Sequence, residues 1–301
     1  MSLQRNDPVW IRSMVFVDAS DEEILMRVAE LGPDAICWDF EDSTPLKHKD
    51  RARKLFGKLA PEVHGRGVRV MARINPGMET EDLDAVVSEE LHCAQISKAG
   101  SERDVVEFTE RLQVFEKQRG LRDGHTLVRP VIETAAGVKW AYEIASASAR
   151  VTYMGGVHGG RIGDLGVSLG YRNTDTGVES YYVRAKVLVD VRAVGVPYPI
   201  GGGGGKDKRA AAVLARDMGY QGMHASAHFS IGGVREQVEM LHAVFTPPRE
   251  DVERWLELMP ELEAAEREGT ILIQTRHGTF DTTFLKTMRE EVALAQRLGM
   301  V

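Results

Sequence analysis

The sequence has few cysteines, no long apolar run and no excess of basic residues, and each absence excludes a class of protein. Only Cys37 and Cys93 occur in 301 residues, and neither has the spacing of a disulfide framework or a zinc site. No apolar run reaches the ~18 residues that span a bilayer, and the start lacks the apolar stretch of a signal peptide. The sequence therefore predicts a cytoplasmic protein without membrane association.

The charge balance points to a small-molecule partner. The chain carries 38 basic and 45 acidic side chains, which gives a formal net charge of -7. Sequence-independent binding to nucleic acid or to anionic lipid needs a basic face, and this composition does not favour one. A hydrophobic content of 43% indicates a folded globular chain.

The chain repeats one structural unit, in which a short apolar run is followed by a polar or glycine-containing turn and a helical pattern. In the first unit a strand ends at Asp18, residues 20–23 form a capping box, and Gly32 with Pro33 ends the helix. Eight strands are predicted, over residues 14–18, 35–39, 68–74, 93–97, 126–132, 151–155, 194–200 and 222–225. Eight units in about 245 residues favour a (β/α)8 TIM barrel over a doubly wound sheet.

The repeat stops at Pro247 and Pro248. We therefore predict a catalytic barrel over residues 1–247 and a C-terminal helical extension over residues 248–301. The extension either packs on its own barrel or contacts a neighbouring subunit.

Polar and charged side chains follow the predicted strands, where the loops of a barrel form the active face. They are Glu41 and Asp42 after the second strand, Arg73 and Asn75 after the third, Lys98 after the fourth, Glu133 after the fifth and Asp164 after the sixth. Any one of them is typical of a solvated loop, but barrel strand ends converge on one axis. Two carboxylates without a His or Cys partner suit Mg²⁺, so Glu133 and Asp164 are the predicted ligands. An ion pair of either carboxylate with Arg73 is the alternative.

Several stretches resemble one family. RSMVFVD, WDFEDSTPLKHKDRAR, ARIN, PVIETAAGVKWAYEIASASARV and GDLGVSLG are similar to the citrate lyase β-subunit-like group of the HpcH/HpaI aldolase family. The similarity runs from Arg12 to about Pro248 and implies a barrel of the phosphoenolpyruvate/pyruvate type. It also implies that Arg73 is the family arginine, and that Glu133 and Asp164 bind Mg²⁺, which Mn²⁺ can replace.

The resemblance implies a carbon–carbon lyase that cleaves or forms a citryl-, malyl- or citramalyl-coenzyme A-like thioester through an enolate, which Arg73 stabilises. The general base is expected to be Asp42, or Asp281 of the extension reaching in from an adjacent subunit. Substrate or coenzyme A contacts are expected from Arg12, Glu41, Lys49, Asn75, Lys98, Gly163 and Lys206. A homotrimer or hexamer is the assembly that such a family suggests.

Two questions stay open at the level of sequence. The glycine run at 201–205 stands where the family often has an aspartate, and it is either a mobile loop or a contact for a coenzyme A phosphate beside Lys206. The chain is alternatively a pyruvate-using aldolase on a free hydroxy-oxo acid, or a non-catalytic ligand-binding barrel subunit.

Overall fold

A computed structural model describes residues 8–155, 164–172, 174–227 and 231–301. The chain divides into two compact units, Met1–Ala243 and Val244–Val301. Among the residues described, no helix is both long and apolar enough to cross a lipid bilayer.

The first unit is built on a parallel sheet. Its seven strands are β1 (Ser13–Asp18), β2 (Ala35–Asp39), β3 (Arg69–Ile74), β4 (Leu91–Ile96), β5 (Leu127–Pro130), β6 (Ile200–Gly201) and β7 (Gly222–Ser226). They lie in the order β5-β4-β3-β2-β1-β7-β6, and each neighbouring pair is parallel. The strands are almost entirely buried, as expected where helices cover a parallel sheet.

The sheet curls until its two edges meet. Val151 forms a parallel bridge with Val128 of β5, and the Ile200 N–H of β6 donates to the Tyr153 carbonyl at 3.3 Å. Residues 151–153 therefore lie between β5 and β6, where the sequence predicted a sixth strand. The predicted TIM-barrel fold class is confirmed.

The seventh predicted strand is shorter than expected. It was placed at 194–200, but Val194 caps the preceding helix and only Ile200–Gly201 pairs as a strand. Pro197 and Pro199 explain the difference, because proline has no N–H to donate to a ladder.

Helices follow the strands in the first unit. They are α1 (Glu22–Glu30), α2 (Lys49–Gly65), α3 (Glu79–Val86), α4 (Glu102–Gln118), α5 (Ala135–Lys139), α6 (Ala141–Ser146), α7 (Asp164–Leu169), α8 (Tyr181–Ala193), α9 (Lys208–Met218) and α10 (Ile231–Phe245). The N-cap of α1 is Asp21, whose side chain accepts from the Ile24 N–H at 3.0 Å. Ser20, the predicted cap, instead donates its hydroxyl to Asp18.

Apolar and sulfur-containing side chains fill the space inside the curled sheet, among them Met14, Met71 and Tyr153. Cys37 and Cys93 belong to the same buried cluster, and both are free thiols. Burial raises the pKa of both thiols, so they act here as small core residues.

The second unit contains α11 (Arg249–Arg267), an antiparallel hairpin of β8 (Leu272–Thr275) and β9 (Gly278–Asp281), and α12 (Leu285–Arg297). It has its own small core, formed by Leu258, Leu262, Leu285 and Met288. The C-terminal helices of the predicted extension are therefore present.

Candidate active site

Arg73 is the centre of a charged cluster at the carboxyl ends of β2 and β3. Register places Arg73 opposite Asp39, and two hydrogen bonds join them, from Nε to Oδ1 at 2.7 Å and from Nη2 to Oδ2 at 2.5 Å. Phe16 lies under the guanidinium, 5.0 Å from ring centroid to Cζ. Both charged side chains are buried, so the two-point contact fixes the orientation of Arg73.

The remaining nitrogen of Arg73 faces three further carboxylates. Nη1 lies 3.0 Å from Glu41 Oε2, 3.3 Å from Asp42 Oδ2 and 3.7 Å from Glu133 Oε1. Glu41 and Asp42 come from the loop after β2, whereas Glu133 comes from the segment after β5. The structure thus brings together residues that the sequence separates by about ninety positions.

Lys98 connects Asp164 to this cluster. Its Nζ lies 3.1 Å from Glu41 Oε1 and 2.9 Å from Asp164 Oδ2. Lys98 has a φ of +53°, a left-handed conformation that a residue with a Cβ adopts only at an energetic cost. Lys98 is the second residue after β4, and its backbone conformation helps to set the position of its ammonium group.

The electrostatic environment shifts the pKa values of the buried carboxylates in different directions. Burial raises the pKa of Glu133 to about 7, although the charge of Arg73 opposes that shift. Asp39 is also buried, but its hydrogen bonds with Arg73 lower its pKa. The ion pairs with Asp164 and Glu41 raise the pKa of Lys98 despite its desolvation.

Lys49 stabilises the loop after β2, which carries Glu41 and Asp42, through hydrogen bonds. Its buried ammonium donates to the backbone carbonyls of Phe40 and Glu41 and to the side-chain oxygen of Asn75, the last two at 2.9 and 3.0 Å. Burial lowers the pKa of Lys49. The structure therefore places Lys49 and Asn75 so that they hold the loop after β2, with Glu41 facing Arg73 and Lys98.

The residues present fit a hard divalent cation. Among the residues that the structure describes, five carboxylates form ion pairs with two cationic side chains, Arg73 and Lys98; the carboxylates are those of Asp39, Glu41, Asp42, Glu133 and Asp164. Neither oxygen of the buried Glu41 carboxylate accepts a well-formed hydrogen bond. Within the described ranges no three acidic, imidazole or thiol side chains form a metal-sized group. Mg²⁺ needs only one or two carboxylates, because water and substrate supply its other ligands.

Two predicted contacts, Arg12 and Lys206, form their ion pairs outside the cluster. Arg12 precedes β1 at the amino ends of the strands, where it forms an ion pair with Asp34 at 2.7 Å. The charged cluster occupies the opposite ends of the strands, and the role of Arg12 as a substrate contact stays a prediction. Lys206 is exposed and pairs with Asp175 at 2.8 Å. Gly163 lies outside the described residues.

Asp281 belongs to the second unit. It ends β9 and caps the short helix Thr282–Phe284 by accepting the Thr283 N–H at 2.8 Å. Its predicted role as a general base stays a prediction.

Asp39 is the residue that sequence reasoning did not select. It was visible as the last residue of a predicted strand, two positions before Glu41. Its partnership with Arg73 depends on the alignment of two neighbouring strands, which the sequence alone does not specify.

Comparisons with known proteins identify the family of this chain. The model of the HpcH/HpaI aldolase/citrate lyase family matches residues 12–225. Citrate lyase subunit beta of Haemophilus influenzae is 27% identical over 291 residues, which cover 91% of this chain and 93% of that protein. The L-malyl-CoA/beta-methylmalyl-CoA lyase of Rhodobacter capsulatus is 26% identical, and the match covers 86% of each chain.

The fold also matches a solved structure. The protein CitE from Mycobacterium tuberculosis, in complex with magnesium, acetoacetate and coenzyme A, superimposes with a TM-score of 0.67 at 20% identity. The match covers 95% of this chain and 98% of that one. At this identity the likeness establishes the shared fold.

Proposed function

This chain belongs to the HpcH/HpaI aldolase/citrate lyase family of carbon–carbon lyases, and from that membership we propose the reaction that it catalyses. The reaction is the Mg²⁺-dependent cleavage or formation of a β-hydroxy acyl-coenzyme A thioester of the citryl, malyl or citramalyl kind. The observation that carries this proposal is the convergence of Arg73, Glu133 and Asp164 at the carboxyl ends of the barrel strands, linked through Glu41 and Lys98.

The substrate class rests on the relatives. One relative is named as a lyase of malyl-coenzyme A, and the related CitE structure contains coenzyme A with acetoacetate. The first name describes an acyl-coenzyme A thioester, and the second describes coenzyme A beside a separate short oxo acid. We carry that chemistry over to this chain as the proposal.

Glu133 and Asp164 would hold the magnesium ion. When bound, Mg²⁺ supplies a Lewis acid that orients the carboxylate and adjacent oxygen of the hydroxy-acid fragment. Asp164 is suited to such a role because its side chain is 49% exposed and can be reached from solvent. Glu133 provides the buried side of the pair.

Arg73 would stabilise the charge that develops during cleavage. As the bond between the α- and β-carbons breaks, its electron pair moves into the acyl fragment and onto the thioester oxygen. A guanidinium already fixed by Asp39 can donate to that oxygen without reorganising, which is how such groups lower a barrier. The β-hydroxyl loses its proton to the base and becomes the carbonyl of the departing 2-oxo acid, and the enolate is then protonated at its α-carbon to give the acyl-coenzyme A product.

A carboxylate must accept the hydroxyl proton. Asp42 lies within the cluster, with its Oδ2 atom 3.3 Å from Arg73 Nη1. Asp281 is the second candidate and would act from a neighbouring subunit. A base must be within hydrogen-bond reach of the hydroxyl in the closed complex, so we propose these two residues for the experiment described in the Discussion.

The metal-binding residues provide the direct test. We expect Glu133→Gln and Asp164→Asn to lower Mg²⁺-dependent cleavage by at least about a thousandfold, with unchanged circular dichroism. Glu62→Gln, which removes an exposed carboxylate on α2, is the control and should retain full activity. A wild-type protein that binds no divalent metal at millimolar concentration would favour the non-catalytic barrel instead.

Ligand protection tests the substrate class. A ligand that binds only the native state raises its melting temperature, so acetyl-coenzyme A should protect the wild-type protein. Protection by pyruvate with Mg²⁺ but not by acetyl-coenzyme A would instead support an aldolase on a free acid.

A further inference from the structure

Arg184 of α8 is a fully buried cation whose guanidinium is largely without hydrogen-bond partners. Its Nε and Nη1 atoms donate to none of the described residues, and its Nη2 atom is 3.5 Å from the Gly177 carbonyl. Glu179 is the carboxylate whose charge acts on it, but Glu179 accepts from Thr174 and forms no ion pair with Arg184. An arginine stays protonated in proteins, so, as far as the described residues show, this buried positive charge has no paired anion.

Arg150 of the same barrel is also buried, and in contrast to Arg184 it is paired with carboxylates. Its Nη1 and Nη2 atoms donate to the two oxygens of Glu116 at 2.7 and 2.8 Å, and Nη2 also contacts Asp123. Each buried donor that lacks such an acceptor costs free energy. The surroundings of Arg184 therefore differ from those of a structural arginine.

The glycine run and Arg184 approach the same backbone carbonyl, that of Gly177. A Cβ atom on Gly204 would be 2.8 Å from Ser180 Oγ and 3.3 Å from the carbonyl oxygen of Gly177, the oxygen that Arg184 Nη2 also faces. Gly177 itself has a φ of +70° and packs on the backbone of Gly204 and Gly205. Only glycines allow these two backbone segments to approach so closely.

The run also offers backbone donors. The N–H groups of Gly203 and Gly204 donate no hydrogen bond to the part of the chain that the structure describes. Gly204 is buried, so its N–H is poorly reached by bulk solvent. Adjacent backbone N–H groups next to a guanidinium are a recurring way in which proteins bind phosphate oxygens.

We propose that Arg184, together with the N–H groups of Gly203 and Gly204, forms a binding site for a phosphate group. The site does not use the carboxylate cluster around Arg73, so it goes beyond the proposed lyase reaction. The segment that bears the glycines follows β6, which is the seventh strand of the barrel when residues 151–153 are counted as the sixth. Loops at this position commonly bind phosphate in this fold. The phosphate is either a free ion or part of a larger molecule such as coenzyme A.

Thermal unfolding with inorganic phosphate tests the site. At constant ionic strength, millimolar phosphate should raise the melting temperature of the wild-type protein by about 2–4 °C. Arg184→Met should abolish this rise, with at least about a tenfold weaker apparent affinity. Arg216→Met removes an exposed arginine of α9 and should respond to phosphate like the wild type.

The same variant in phosphate-free buffer separates an anion site from a structural role. Arg184→Met should melt at the wild-type temperature or above it, because it removes an unpaired buried charge. Gly204→Ala keeps the charge, but its methyl group would collide with Ser180 Oγ and displace the Gly204 backbone, so this variant should also lose the phosphate response. A clear loss of stability in phosphate-free Arg184→Met, or a phosphate response equal to that of the wild type, would overturn the proposal.

Coenzyme A and inorganic phosphate distinguish the two sources. An Arg184-dependent rise with coenzyme A but not with phosphate assigns the site to a phosphate of the coenzyme, and a rise with phosphate alone assigns it to the free ion. If neither ligand gives an Arg184-dependent response, no phosphate site exists here. Glu133→Gln should keep the response in either case, so failure of the lyase reaction would not affect this result.

Discussion

The buried surroundings of Glu133 disfavour the ionised form of its carboxyl group. Its side chain is 6% exposed, and burial raises its pKa to about 7 even though Arg73 lies 3.7 Å away. Keeping a buried carboxylate ionised without a bound cation costs free energy, and a divalent cation would offset that cost. The cost of keeping Glu133 ionised is therefore part of what prepares the site for a metal.

The first prediction concerns the pH dependence of stability. The native pKa of Glu133 exceeds its ordinary value of 4.5, so between pH 4.5 and 7 the folded protein binds more protons than the unfolded chain. This contribution to stability is complete below pH 4.5 and is lost as pH rises through about 7. Without divalent metal, we expect Glu133→Gln to be more stable than wild type at pH 8 by about 1–3 kcal/mol.

Urea unfolding at pH 5 and pH 8 measures this difference, which should almost vanish at the lower pH. Added Mg²⁺ should stabilise wild type at pH 8 and leave the glutamine variant unchanged. A variant that is equally destabilised at both pH values would mean that Arg73 stabilises the carboxylate more than burial penalises it.

At the residue scale, the sequence predicted the members of the cluster better than their partners. Arg73, Glu133 and Asp164 could be found because charged residues at successive strand ends must converge in a barrel. Asp39 was missed because its bond to Arg73 depends on strand register. Arg12 was assigned from resemblance, and it precedes its strand and so lies at the amino ends, away from the cluster.

Among the elements, α5 and the loop after β4 make a contact that positions the site. Gly137 lies in the first turn of α5, where its N–H donates to the Thr134 side chain at 3.0 Å. A Cβ on Gly137 would come within 2.5 Å of the Ala99 carbonyl oxygen. Thr134 follows Glu133 and Ala99 follows Lys98, so this contact sets the spacing between two members of the cluster.

The second prediction follows from that spacing. Gly137→Ala should force α5 away from the loop after β4 and destabilise the protein by about 1–3 kcal/mol. Misplacement of Glu133 relative to Lys98 should lower kcat by roughly 10–100-fold. Urea unfolding and the lyase assay measure the two effects.

Gly57→Ala in α2 is the matched control. No atom lies within 4 Å of the added methyl group, so this variant should gain about 0.5–1 kcal/mol in stability and keep its activity. Full activity of Gly137→Ala would show that the contact does not position the cluster.

The elements themselves were largely predictable, and their exceptions have local causes. Continuous apolar runs marked the buried strands, and the helices between them had the expected 3.6-residue pattern. The seventh strand was overestimated because Pro197 and Pro199 interrupt the ladder. Asp21 replaced Ser20 as a cap because the Ser20 hydroxyl is used by Asp18.

At the scale of the whole molecule, the chain consists of two units with separate cores, and the second carries Asp281. The proposal that Asp281 acts on a neighbouring subunit can be tested by mixing inactive variants. Two variants can complement each other only if the altered residues belong to different active sites within one assembly.

The third prediction is the outcome of that mixing. The asparagine variant of whichever residue is the base, Asp281 or Asp42, should lower kcat by about 10²–10⁴-fold. Hetero-oligomers of Asp281→Asn with Glu133→Gln should regain part of the activity, because some sites then have both groups intact. Hetero-oligomers of Asp42→Asn with Glu133→Gln should not, since both residues belong to one chain's cluster.

Mass measurement of the mixed samples checks that subunits have exchanged, and it tests the predicted trimer or hexamer. A fully active Asp281→Asn variant beside an inactive Asp42→Asn variant would assign the base to Asp42. Rescue of both pairs would contradict the placement of Asp42 beside Glu133.

The junction between the two edges of the sheet, at β6 and Tyr153, should open locally more readily than the longer strand pairs. β1 and β2 pair over five residues, whereas β6 pairs with β7 over two and is joined to Tyr153 by the Ile200 N–H at 3.3 Å. Short ladders open at a lower free-energy cost, so in deuterated water the Ile200 amide should exchange its proton well before that of Ile36. The wall of the barrel is thus held less tightly beside the glycine run than where β1 pairs with β2.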